Sequence, residues 1–193
     1  MKPEDVLLDH ELLELWHKLI KLNGELNKLS KEKYNRINPF VENLFDWKNK
    51  GNLYGDKNIT IYDSTTIVGD VSIGDNTWIG PFCSLDGTGG IKIGDYCSIS
   101  SGVQILTHDT AVWALSGGKS PYEYGCISIG DCCFIGTQTI ILKNTHIGNH
   151  CLIGANSLIN RNVSDFSVVA GSPAKQIGEI FLDAYGQISV KYW

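Results

Sequence analysis

The sequence predicts an all-β parallel solenoid with a helical region at its N-terminus and one long excursion loop. Two periodic observations carry that expectation. An aliphatic residue recurs every six positions at Ile61, Ile67, Ile73, Ile79 and Leu85, slips by two, and resumes at Ile93, Ile99 and Ile105. After a gap of 24 residues, four times six, it returns in phase at Ile129, Ile135, Ile141, Ile147, Ile153 and Ile159. Around this position the frame is also constrained. Glycine follows directly at Gly74, Gly80, Gly94, Gly130, Gly136, Gly148 and Gly154, and four places on sits a small residue such as Thr65, Thr77, Cys83, Cys97, Val103, Cys133, Thr139 or Cys151. A strand repeats every two residues and a helix every 3.6, so neither alone produces a period of six. A short strand ended by a turn and repeated on three sides of a prism does. Burying one Ile contributes about 1.5–3 kcal/mol, whereas ordering each residue costs about 1–2 kcal/mol. One hexad therefore cannot stand alone, and only a stack makes a continuous core. The recurrent glycine fits a corner that needs unusual backbone angles or a close approach.

Residues 1–50 fall outside the repeat. Leu8, Leu12, Leu15, Trp16 and Leu19 define one face of an amphipathic helix, which Gly24 is expected to end near Asn23. Asn38-Pro39 reads as a cap and first turn leading into Phe40, Val41, Leu44, Phe45 and Trp47. Together these helices are expected to cap the open first coil. The solenoid is expected over residues 51–178, broken by the excursion at about 107–127. The remaining tail, 179–193, ends in Tyr192 and Trp193, which are expected to pack back on the body.

Composition narrows the function classes. With 16 basic against 21 acidic residues the net charge is -5, which excludes broad non-specific nucleic-acid binding. No run of 18 apolar residues occurs, so no transmembrane helix is expected. The first residues lack an apolar signal core, pointing to a cytoplasmic location. Of the six cysteines, Cys83, Cys97, Cys133 and Cys151 share the small inward position and behave as small buried hydrophobes. Cys132 and Cys133 are adjacent and point to opposite sides, and no spacing suits zinc. Cys126, at the edge of the excursion, has no assigned role.

The hexads from Ile61 to Ile159 and the segment Val168–Lys175, VVAGSPAK, resemble the hexapeptide-repeat acyltransferases, whose fold is a left-handed parallel β-helix. The closing segment looks like that of the maltose, galactoside and serine acetyltransferase branch. Handedness is implied by the resemblance and not by the spacing. The resemblance also implies acetyl-CoA as donor and a homotrimer with the donor lying between subunits.

The excursion runs from Thr107 to about Cys126 and holds His108, Asp109, Trp113, Lys119, Tyr122, Glu123 and Tyr124. Such a loop within a regular solenoid is rare without a purpose. His108 is the one histidine that follows a repeat strand directly into the excursion; His10 and His17 fall on the helix, and His146 and His150 near turns. A histidine titrates near neutrality and as a general base contributes about 10²–10⁴-fold. The resemblance supports this role for His108, because the family carries its catalytic histidine at the start of a comparable loop. Asp86 and Glu123 are the candidates to orient it, while Asp109, being adjacent, points away and is assigned to substrate. Asp86, in LDGTGG, also resembles the family's acceptor-contacting acid; the alternative is an ordinary turn residue. Trp113, Tyr122 and Tyr124 could stack on a base or sugar ring.

For the donor, the resemblance implies that the pantetheine arm passes Thr137 and Ala155. Its nucleotide end would then meet Asn160, Arg161 and Lys175; the alternative for these charges is a solvated surface. The expected reaction is acetylation of the amino group of a nucleotide-linked amino-deoxy sugar, destined for a surface glycan such as lipopolysaccharide. A sugar or polysaccharide hydroxyl is the alternative acceptor. From other classes come a non-enzymatic scaffold and a metal-dependent hydratase. The hydratase branch of this architecture needs three metal histidines, and His108, His146 and His150 are not at that spacing. No nucleic-acid partner and no stable membrane insertion are expected.

Overall fold

In the computed structural model, residues 9–44 and 47–193 are described, and the chain divides into two compact units, residues 1–46 and 47–193. The first unit is built on helix α1, His10–Tyr34. Asp9 caps its start, accepting the N–H groups of Glu11 at 2.8 Å and Leu12 at 3.2 Å, and Asn35 ends it in the left-handed conformation at φ 53°. Gly24 does not end the helix. A single interior glycine costs only about 1 kcal/mol relative to alanine, and its neighbours Leu22, Glu25, Leu26 and Lys28 are good helix formers. A second helix, α2, spans Phe40–Leu44 as the Asn38-Pro39 signal implied. An amide cluster joins the two, with Asn43 Nδ2 donating to Asn27 Oδ1 at 3.0 Å. Leu8 and Phe45, assigned to the apolar faces, lie outside the described residues. No helix among the described residues is long and apolar enough to cross a membrane.

The second unit opens with α3, Trp47–Gly51, and a single 3-10 turn, Asn52–Tyr54, so helical structure continues past residue 50. The solenoid then begins at Thr60. Its first face stacks residues 60–61, 78–79, 98–99, 134–135, 152–153 and 168–169 as parallel rungs. A second face stacks 66–69, 84–87, 104–106, 140–142 and 158–159. The third stacks 71–73, 91–93, 127–129 and 145–147, closed by a bridge from Ile147 to Val163. Register is in phase throughout: Ile79 pairs with Ile99, Ile99 with Ile135, and Ile135 with Ile153. Of the fourteen aliphatic positions only Ile67 is not fully buried, so the period of six is the period of the core. Ile59, Ile91 and Ile127 join that core. Each stands in the small-residue position of a rung that follows the helical region, the slip or the excursion.

Two expectations about small residues change in physical meaning. The recurrent glycines after the aliphatic position do not have positive φ. They are needed for close approach: a Cβ on Gly130 would lie 2.6 Å from Asn149 Oδ1, and one on Gly136 2.5 Å from Ala155 N. Left-handed backbone falls instead on non-glycine corner residues, as in the column Asn76, Tyr96, Cys132, His150 and Phe166. Beside that column an Asx ladder climbs the corner. Asp95, Asp131, Asn149 and Asp165 each accept the backbone N–H of the equivalent residue one coil before, at 2.7–2.9 Å. The inward cysteines are buried, yet they also donate. Cys83, Cys97, Cys133 and Cys151 reach the carbonyls of Ser100, Gly130, Gly148 and Ser164 at 3.0–3.1 Å, as Thr65 and Thr77 reach Gly80 and Gly94. That shared donor explains why thiol and hydroxyl interchange there.

The C-terminal residues are not a loose tail. Ala174–Leu182 pairs antiparallel with Ser167–Gly171 and then with Ile188–Tyr192, extending the first face. Tyr192 and Trp193 are 60% and 67% exposed, so they do not pack back on the body.

Candidate active site at the neck of the excursion

The excursion leaves the solenoid through a closed neck. Gly125 N–H donates to Thr107 O at 2.8 Å, so the two ends of the loop meet. Thr107 is fully buried, and its hydroxyl both donates to Asp86 O at 2.5 Å and accepts from Gly89 N–H at 2.7 Å. Gly89 belongs to the two-residue slip in the coil beneath. A side chain there would collide with the neck, its Cβ meeting Thr107 O at 2.7 Å. Beyond the neck, His108–Asp109 pairs antiparallel with Glu123–Tyr124, and helix α4, Ala111–Leu115, forms the far side. Trp113 and Tyr122 meet edge to face at 5.5 Å within the loop.

His108 and Asp86 come together across two coils. Asp86 Oδ2 lies 2.7 Å from His108 Nδ1. Thr88, from the slip, donates to Asp86 Oδ1 through its hydroxyl at 2.8 Å and its backbone N–H at 3.1 Å. Its Oγ is also 3.2 Å from His108 Nδ1. Desolvation pushes the Asp86 carboxyl up, but the two Thr88 hydrogen bonds and the charge of His108 outweigh it and hold it below the ordinary value. Among the described residues no hydrogen bond or ion pair engages His108 Nε2, and Tyr124 stacks on the ring at 5.9 Å. A carboxylate on Nδ1 leaves Nε2 with its lone pair outward, the arrangement of an oriented base.

Lys143, absent from the sequence reading, lies one coil above. Its ammonium pairs with Asp109 and with Glu123 Oε2 at 2.6 Å, while its side chain is 18% exposed. These bonds, to Asp109 first and Glu123 second, raise the Lys143 pKa; the Lys143 bond lowers that of Asp109. Glu123 thus engages Lys143 and not His108. Thr88 and Lys143 stand in turn sequences (DGTGG and LKNT) that resemble ordinary solvated corners. Only coil stacking, which sets Thr88 beside a residue 20 positions on and Lys143 beside one 34 back, reveals them.

The residues assigned to the donor separate into two lines. Thr137 and Ala155 are exposed on the corner between the first and second faces, one coil apart. Lys175 pairs with Ala170 where that corner reaches the last rung. Asn160 and Arg161 lie on the corner between the second and third faces, one coil above Leu142 and Lys143. Lys175 and Arg161 are exposed and form no ion pair among the described residues. Both cations are therefore available to phosphate groups, and a bare corner at Ala155 leaves room for a slender chain. The other two solenoid histidines stand apart: His146 Nδ1 is 2.7 Å from Ser128 Oγ, and His150 stacks on Phe166.

Comparisons with known proteins agree with the fold. A family model for the bacterial transferase hexapeptide (six repeats) matches residues 126–161, and one for the hexapeptide repeat of succinyl-transferase matches residues 70–107. A dTDP-4-amino-4,6-dideoxy-D-glucose acyltransferase of Escherichia coli is 31% identical over 146 residues, covering 67% of this chain and 76% of that protein. Galactoside O-acetyltransferase of Escherichia coli (strain K12) is 30% identical over 129 residues, covering 67% of this chain and 52% of its own length. Among solved structures, AntD, an N-acyltransferase from Bacillus cereus in complex with dTDP and 3-hydroxybutyryl-CoA, superposes with a TM-score of 0.57 at 28% identity. That match covers 62% of this chain and 68% of AntD. An S84A variant of AntD was solved with dTDP-4-amino-4,6-dideoxyglucose and coenzyme A. The fold class is the left-handed parallel β-helix.

Proposed function

Because the chain belongs to the hexapeptide-repeat transferase family and is an acyl-CoA-dependent acetyltransferase, we propose that it acetylates the amino group of a nucleotide-linked amino-deoxy sugar, with His108 as general base. The observation that carries this reading is the Asp86–His108 pair at the loop neck, 2.7 Å apart and with Nε2 turned away from both acceptors on Nδ1. Likeness to a dTDP-amino-sugar acyltransferase supports the acceptor class. Acetyl-CoA supplies the acyl group as a thioester when bound. Nε2 takes the proton that the attacking nitrogen sheds as the new C–N bond forms. The C–S bond breaks, and the proton passes from the imidazolium to the departing sulfur, so the base is regenerated. Asp86 holds the imidazolium while it is charged.

In the loop, Trp113 and Tyr122 offer apolar surface to the sugar or its base. Asp109 and Glu123, engaged by Lys143, contribute to acceptor binding through the charge of the whole cluster. Thr137, Ala155 and Lys175 would hold the donor along one corner, with Asn160 and Arg161 meeting its phosphates from the next. We place the reaction in the cytoplasm, in a surface-glycan pathway, and assign the active assembly as a homotrimer.

O-acetylation of a sugar hydroxyl is the second reading. Likeness to galactoside O-acetyltransferase favours it, and an oriented base suits an acceptor whose pKa is far above neutrality. Incubating the protein with acetyl-CoA and a panel of dTDP-linked sugars, amino and hydroxyl matched, decides between them. Coenzyme A release with an amide product is expected. An ester product transfers the assignment to the hydroxyl class, and no release with any sugar removes both.

A further inference from the structure

We propose that Thr88 is a positioning residue for the base, fixing the rotamer of Asp86 and the tautomer of His108, and that the two-residue slip in the repeat exists to present it. This inference rests on the reading of His108 as the base.

The slip is a bulge confined to one corner. Gly69 pairs with Gly87 and Val71 with Ile91, so Asp70 alone faces Thr88, Gly89 and Gly90. Bulges re-aim a side chain where regular pairing would not. Within this one, Gly89 is pressed against the neck and Gly90 takes φ +92°. Thr88 is therefore the one residue of the bulge with a side chain, and it projects onto the pair. Its N–H and its hydroxyl both terminate on Asp86 Oδ1, at 3.1 and 2.8 Å. The torsion that turns a carboxylate is broad and soft; two donors on one oxygen pin it and leave Oδ2 for His108 Nδ1.

The same hydroxyl sets the tautomer. Its single hydrogen is committed to Asp86, so at 3.2 Å from Nδ1 it can only offer a lone pair. Nδ1 thus faces two acceptors, Asp86 Oδ2 and Thr88 Oγ, and must carry the hydrogen when the ring is neutral. The proton-free nitrogen is then Nε2, the one a nucleophile can use. Charged groups facing the ring are Asp86 below and Asp109 beside it, the latter paired with Lys143. A change at Thr88 alters none of these charges.

The test uses the full chain carrying Thr88→Val or Thr88→Ser, with His108→Ala as reference. Thr88 is exposed, so both variants are expected to melt with the parent. For Thr88→Val, kcat should fall about tenfold, the scale on which outer partners of a functional histidine act. KM for acetyl-CoA and for the sugar should stay unchanged, and Thr88→Ser should restore the rate. Nitrogen-15 spectra of labelled His108 should show a protonated Nδ1 in the parent and a mixture of tautomers in Thr88→Val. An unaltered tautomer in Thr88→Val, an unaltered kcat, or failure of serine to rescue each overturns the inference. Full activity of His108→Ala would instead overturn the base itself, whatever Thr88 does.

Discussion

The imidazole of His108 gains its direction from a carboxylate 22 positions earlier in the chain, and the direction decides what its loss should do. On a hydroxyl acceptor, His108→Ala should lower kcat about 10²–10⁴-fold, because proton removal must accompany attack. On a sugar amine the loss should be smaller and partly recovered at higher pH, where more of the amine is neutral. A pH–rate profile on both acceptors checks this, and a variant with full rate on each at every pH would remove His108 from the reaction. The Asp86 carboxyl sits below its ordinary value, so its contribution is complete above about pH 4 and disappears as pH falls through the folded value. Neutral-range titration of activity therefore does not originate in Asp86. His108 and Asp86 were legible in the sequence because both interrupt a strict repeat. Thr88 was not, since a threonine between glycines looks like any turn. The inward cysteines were legible as buried, but their role as donors to the next coil became visible only with the carbonyls in place.

At the scale of the element, the short hairpin of the excursion holds two like charges directly opposite one another, Asp109 and Glu123. Such a pair destabilises a two-stranded ribbon, and Lys143 from the next coil resolves it. Asp109 was expected to contact substrate and Glu123 to orient His108; their engagement by a lysine from a corner sequence could not be read without knowing which coils stack. Lys143→Met should splay the hairpin. Cleavage by a protease within residues 110–122 is expected to accelerate several-fold and kcat to drop. The solenoid should melt within a few degrees of the parent, since the acids are about half exposed and such pairs contribute only about 0.2–1 kcal/mol each. Equal proteolysis rates in parent and variant would show that the clamp does not hold the loop. With pKa values raised on Lys143 and lowered on Asp109, the clamp persists across the neutral range. It is lost as pH rises past the lysine's folded value, or falls below that of the aspartate.

For the whole molecule, the prism presents flat sides that a single chain leaves open. Phe82, Tyr96 and Phe134 on the solenoid are 60%, 64% and 45% exposed, and Leu106, Ile140, Leu142 and Leu158 line the second face half-buried. Large apolar side chains left exposed on these sides suit contacts between copies of the chain, and closed cyclic symmetry is the usual form such contacts take. Light scattering should give about three times the 21.3 kDa of one chain. A mass of a single chain at working concentration would refute the trimer. The repeat made the solenoid readable almost residue by residue, because each hexad position has one environment in every coil. The helical region was less so: Gly24 looked like a terminus, but nothing in a lone helix requires a glycine to end it.

The hydrogen bond that closes the neck, from Gly125 to Thr107, also bears on how such a protein can change over generations. The in-phase return at Ile129 after four times six residues would be the pattern of a loop that keeps count with the coils. It has no need to. Strand 127–129 takes its register from 91–93 below, and the excursion leaves and rejoins the wall at one point. Its length is therefore free to vary one residue at a time, at an entropic cost of only about 0.6 kcal/mol per doubling. On the proposed function, insertions, deletions or wholesale exchange of residues 110–122 should retune the acceptor while His108, the first residue beyond the neck, stays held by Asp86. The solenoid thus behaves as a chassis, and new specificity can be sampled without risking the fold.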